Sequence, residues 1–189
     1  MMFAGMFDLC PPLPDMEEDE LRDMMEEMAN FRGTTAGKFT ADVLGHAGFG
    51  SEGDGNDGGF LLTIEAYDTN LERAACIALM RIGQGMPESG ESLTIVNESQ
   101  VEPEDHPGDL IGYLLIAGLD GPGEIHAIAA GLGETGTLEV ETAGEDRISG
   151  TLHFRGTARD PNAPADGQPF EMEGTFSAER VFDQVPTTR

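Results

Sequence analysis

Arg147-Ile148-Ser149-Gly150-Thr151-Leu152-His153-Phe154-Arg155-Gly156-Thr157 is the stretch that decides the fold class. Ile148, Gly150, Leu152, Phe154 and Gly156 fall on one side of an extended chain. Ser149, Thr151, His153, Arg155 and Thr157 fall on the other. A period of two sustained this long belongs to a strand with one dry face and one wet face. The alternation recurs downstream, where Phe170, Met172, Gly174, Phe176 and Ala178 oppose Glu171, Glu173, Thr175, Ser177 and Glu179, with a loop expected from Asp160 to Pro169. It recurs upstream, where Leu138, Val140 and Thr142 oppose Glu139 and Glu141 ahead of a turn at Ala143-Gly144-Glu145-Asp146. Three consecutive strands of this kind form a β-meander.

Further upstream the same reading continues. Ile111 to Leu119 and Glu124 to Leu132 flank Asp120-Gly121-Pro122-Gly123, a hairpin signal. Phe60 to Tyr67 reads as a strand, Asp68-Thr69-Asn70 as a turn, Leu71 to Ile82 as the returning strand and Leu93 to Val96 as a short one. Phe39, Ala41 and Val43 alternate, and Gly48 to Gly59 reads as a glycine- and acid-rich loop. The chain is therefore expected to be mainly β, a meander-rich antiparallel β-sandwich or open barrel. Its residues divide into an N-terminal arm and helix at 1–35, a β domain at 36–181 and a tail at 182–189.

One helix precedes the strands. Asp15 to Phe31 carries an N-cap candidate at Asp15 and acids at Glu17, Glu18, Asp19 and Glu20, where the helix dipole favours them. Leu21, Met24, Met25, Met28 and Phe31 recur at helical spacing as one apolar stripe, and Gly33 ends the segment. Seven of the ten methionines lie in the first thirty residues, so the stripe is soft and adaptable. Leu21, Met24, Met25 and Met28 are accordingly the candidate partner-binding residues. The plainer alternative is that they lie on the sheet as core.

Charge narrows the function. Thirty-six acidic residues oppose 10 basic ones in 189, a formal net of −26, and Lys38 is the only lysine. Such a surface repels phosphate backbones and anionic lipid, which excludes nucleic acid as a partner. No apolar run is long enough to span a bilayer. A protein partner remains open, and the oligomeric state is not legible. The acidity reads either as a solvated surface suited to high salt or as a means of collecting cations or a basic partner.

Specific chemistry is thin. The loop Ser51-Glu52-Gly53-Asp54-Gly55-Asn56-Asp57-Gly58-Gly59 holds the one candidate metal set, Asp54, Asn56 and Asp57, as flexible oxygen ligands for calcium. The competing reading is a solvated hairpin loop. Among the histidines, His153 lies on the wet face with Glu139, Glu141, Glu171 or Glu173 as cross-strand partners, and His126, among alanines and isoleucines, reads as satisfied or half-buried. No nucleophile elbow, zinc spacing or glycine-rich nucleotide loop occurs, so no enzyme and no cofactor are expected, calcium apart, and a zinc or copper site assembled from distant strands is left open. Cys10 and Cys76 are the only cysteines; Cys76, in an apolar run, reads by default as a buried, inert thiol, and a bond between the two, the alternative, would require an oxidising compartment. Met1 to Cys10 lacks the basic start of an export signal and is interrupted by Asp8, leaving two possibilities: a chain that is not exported, or one that has lost its signal.

Gly59 to Asp68, Gly136-Thr137-Leu138-Glu139-Val140, Arg147 to Phe154 and Glu173-Gly174-Thr175-Phe176-Ser177 together resemble a β-rich domain of bacterial secreted proteins and lipoproteins of unassigned role. The resemblance implies an extracytoplasmic β domain and brings no catalytic residues with it. The expected function is non-enzymatic, structural or protein-binding. The alternative is a small-ligand or calcium-binding β module.

Overall fold

The computed structural model describes residues 10–11, 13–52, 58–121 and 124–182. Among these residues one α-helix, α1 (Glu18–Met28), precedes nine strands: β1 (Phe31–Gly37), β2 (Ala41–Glu52), β3 (Gly59–Asp68), β4 (Arg73–Arg81), β5 (Ser92–Val96), β6 (Leu110–Gly121), β7 (Glu124–Ala143), β8 (Arg147–Asp160) and β9 (Ala163–Phe182). The class is mainly β with a single short helix, as the alternation requires. The sheet closes on itself as a barrel in the order β1-β2-β3-β4-β6-β5-β7-β8-β9.

Two parallel pairings interrupt an otherwise antiparallel sheet, and both arise where one strand has two neighbours along its length. β2 pairs with β1 from Ala41 to Gly45, then meets β9 in parallel from Gly48 onward. Asn30 bridges the change: its side chain donates to the Ala47 carbonyl and accepts from the Ala47 N–H. A backbone pair that would otherwise be unmet at the join is thereby satisfied. β7 behaves similarly, pairing with β6 through its first half and with the short β5 through its second, while β5 lies parallel to the start of β6.

The dry faces fill the barrel. Phe31, Phe49, Phe60, Phe154 and Phe170 are buried inside with the aliphatic residues of the meander, and Phe39 packs with them from the β1–β2 turn. Arg73 stacks over Phe39 at 5.0 Å from the ring centre, and Arg180 over Phe49 at 5.1 Å. The interior is a core of side chains.

Glycines shape it. Gly112 on β6 and Gly133 on β7 face inward beneath Phe154, whose ring edge would lie 2.7 Å from a Cβ at Gly112 and 2.9 Å from one at Gly133. Gly136 takes φ +147°, and a Cβ there would lie 2.1 Å from the His153 carbonyl oxygen. Glycine alone accommodates that bend.

Several local expectations change. The helix starts later and ends earlier than the spacing suggests: Glu17 occupies the N-cap position rather than Asp15, and no side chain caps it. Phe31 and Gly33 belong to β1, with Phe31 in the barrel core. The barrel thus begins within the segment assigned to the arm. Gly48 to Glu52 extend β2, and most of the expected 160–169 loop is the start of β9. Segments read as two strands, Glu124 to Leu132 and Leu138 to Thr142, are one bent strand, β7. Register shifts flank Gly133–Thr135 and Val140–Thr142, and the second turns Thr142 out to solvent.

The apolar run Ala74 to Met80 has a different explanation from a one-sided strand. β3 and β4 are buried on both faces. Their outer residues Tyr67, Ala74 and Cys76 pack with Leu115 and Ala117 of β6 beneath Cys10, Leu13 and Leu21, forming a second, smaller core outside the barrel. Cys10 and Cys76 are joined by a disulfide, with their Cα atoms 5.6 Å apart, which pins the arm to β4.

Candidate functional site

The amphipathic stripe of α1 meets the outer wall at a seam. Leu21 is buried, Met24 and Met25 are half-buried against the outer core, and Met28 stands 64% exposed at the helix end. A groove of about 220 Å³ runs beside them, lined also by Gly45, His46, Glu65 and Tyr67 of the barrel wall and by Pro11, Leu13 and Pro14 of the arm. The four candidate partner-binding residues therefore share one lining, but they do not have equal access to solvent: Leu21 anchors and Met28 is displayed. Glu18, Asp19, Glu20, Asp23, Glu26 and Glu27 are exposed on the rest of the helix surface.

Glu65 is the polar group beneath the helix. Burial pushes its carboxyl up from 4.5 to about 7, partly offset by its hydrogen bond with Tyr67. Burial and the neighbouring carboxylate likewise push the Tyr67 hydroxyl upward. Because Glu65 titrates higher in the folded chain than in the unfolded one, the stability tied to its proton is full below about 4.5 and is lost as pH rises through about 7. Glu65→Gln is expected to flatten that part of the stability–pH curve. At pH 8 it should raise the melting temperature by about 2–4 °C, roughly 1 kcal/mol once partial exposure is discounted. Melting curves from pH 4 to 8 check this; a parallel pair of curves would show that Glu65 stays solvated.

Compared with known proteins, the chain matches no family model, no curated protein and no solved structure. Its residues must speak for themselves.

A second cavity, of about 750 Å³, lies over β6, β7 and β8, lined by Tyr113, Leu132, Thr157 and Arg159 with Asn97 and Gln100 at its edge. The Tyr113 hydroxyl donates to Glu98 at 2.9 Å, and burial, with that carboxylate, pushes it up to about 12. This volume lies within the range of small-molecule sites.

The histidines sort clearly. His46 lines the seam groove, and His106 pairs with Asp109 at 2.9 Å. His126 is satisfied but exposed rather than half-buried: it faces outward at the hairpin end and meets Asp120 at 2.5 Å. Of the four carboxylates open to His153, Glu171 is the partner, at 2.6 Å, and Arg155 reaches the same oxygen at 3.0 Å. The hydrogen bonds from His153 and Arg155 hold the Glu171 carboxyl below its ordinary value.

The calcium candidates Asp54, Asn56 and Asp57 lie outside the described residues. Glu65 and Tyr113 were missed as site residues by sequence reasoning. The signal was present for Glu65: Leu61, Thr63 and Tyr67 share its face, an outward set too apolar to face water. No described helix is long and apolar enough to cross a membrane.

Proposed function

We propose that this protein is a non-enzymatic, extracytoplasmic binding barrel that holds a basic, amphipathic segment of a protein partner at the seam between α1 and the barrel wall. The observation that carries the reading is Met28, a large apolar side chain displayed beside an apolar groove on a helix whose opposite face is acidic. Adaptable methionines suit a partner's aliphatic side chains. The carboxylates on the rest of the helix suit its cations and would steer its approach in a chain of net charge −26. The Cys10–Cys76 bond supports an oxidising compartment. The groove is sized for one or two apolar side chains rather than a long ligand.

The test uses two synthetic peptides of equal charge, one alternating lysine with leucine at helical spacing and one with serine in place of leucine. In fluorescence anisotropy at low salt the leucine peptide is expected to bind about tenfold more tightly. Met28→Asp should remove that advantage, a loss of roughly 1.4 kcal/mol. Equal binding of both peptides, or a leucine preference untouched by Met28→Asp, would reduce the seam to part of a generally acidic surface.

A further inference from the structure

We propose that His153, Glu171 and Glu173 form a divalent transition-metal site on the outer wall of the barrel, with zinc as the ion that fits it. The register brings them together. His153 on β8 lies directly opposite Glu173 on β9, and Glu171 follows on the same face one pair further on, opposite Arg155. One imidazole nitrogen and a carboxylate oxygen from each glutamate lie within 4.8 Å of one another, and among the described residues this is the one such group of three. Small side-chain movements bring such atoms to the spacing a tetrahedral zinc ion requires.

The donor set selects the ion. An imidazole nitrogen with two carboxylates suits zinc and its first-row neighbours, whereas calcium and magnesium prefer oxygen alone. His106 and His126 each meet a single carboxylate and lack the third donor. Two carboxylates also balance the ion's charge. A shallow cavity beside His153 and Glu173, bordered by Thr34 and Thr137, leaves space for water to complete the coordination. Arg155 is the competitor, since it donates to the Glu171 oxygen that the ion would take.

That competition gives the test its direction. Isothermal titration of zinc chloride into the intact, disulfide-bonded chain, stripped with EDTA and dialysed to low salt at pH 7.5, is expected to show one micromolar site. His153→Gln and Glu173→Gln should each weaken it by at least about tenfold, as loss of a ligand does. Arg155→Gln should tighten it severalfold, whereas a merely structural ion pair predicts no such gain. Melting curves in EDTA keep the variants honest by showing that they fold. The proposal is overturned if zinc binds both glutamine variants as it binds the parent, if magnesium or calcium reproduces the isotherm, or if no binding occurs below millimolar zinc.

Discussion

Phe154→Ala is expected to lower stability by about 3–5 kcal/mol, the range for truncating a buried aromatic side chain. The loss is a large fraction of what a domain of this size holds in total. Phe154 is fully buried, its ring meets Phe170 edge-on at 6.4 Å, and its other edge rests on Gly112 and Gly133. Two glycines have no side chains with which to close the space, so the cavity stays open. The converse change tests the same contact. Gly133→Ala places a methyl group 2.9 Å from the ring and 3.1 Å from Ile95, and overpacking of this kind costs about 1–3 kcal/mol. Adding Phe154→Leu to Gly133→Ala should cost less than the sum of the two single changes, because each relieves the other. Urea unfolding monitors all three through a shifted midpoint at constant slope. A loss below about 1 kcal/mol for Phe154→Ala would mean that the ring does not fill the barrel.

Replacing both Cys10 and Cys76 by alanine is expected to cost up to about 4 kcal/mol, from a loop-closure estimate over a sequence separation of 66. The effect should not be uniform. α1 has 11 residues, no side-chain cap and no basic residue in its last turn, and so short a helix is marginal without tertiary support. Leu13 and Leu21 cover the outer core only while the arm stays tethered above β4. Hydrogen exchange in residues 18–28 should therefore quicken far more than in β7 and β8, whose ladders involve no residue before β5. Reductant should reproduce the loss in the parent and do nothing to the variant. Unchanged exchange in α1 after reduction would show that its contacts suffice without the bond, and that the seam does not depend on an oxidising compartment.

Much of the fold was legible because most strands have unlike faces. From Ile148 to Ala158 inward and outward residues alternate without a break, and the period alone assigns each side chain to core or solvent. β3 and β4 defeated that logic, since a strand buried on both faces has no period to read and its outer cover lies far away in sequence. The ends of α1 shifted for a related reason. Phe31 continues the helical spacing, but inside the barrel it gains burial that the helix surface could not provide.

The candidate site was legible only in part. Leu21 to Met28 were identifiable from spacing within one helix, whereas Glu65 joins them through a pairing of β2 with β3 that no local pattern encodes. His153 had four possible carboxylate partners, and register chose Glu171.

By itself the sequence determined the strand alternation, the acidic exterior, the soft helical stripe and most turns, all set by neighbours a few residues apart. Tertiary structure alone decided barrel closure through β9, the switch of β2 from β1 to β9, the Cys10–Cys76 bond and the meeting of His153 with Glu171 and Glu173. The physical reason is range. Alternation and helical spacing are local properties of the chain. Closure and cross-strand pairing depend on which distant segments can share hydrogen bonds and a filled core, and only the folded chain makes that choice.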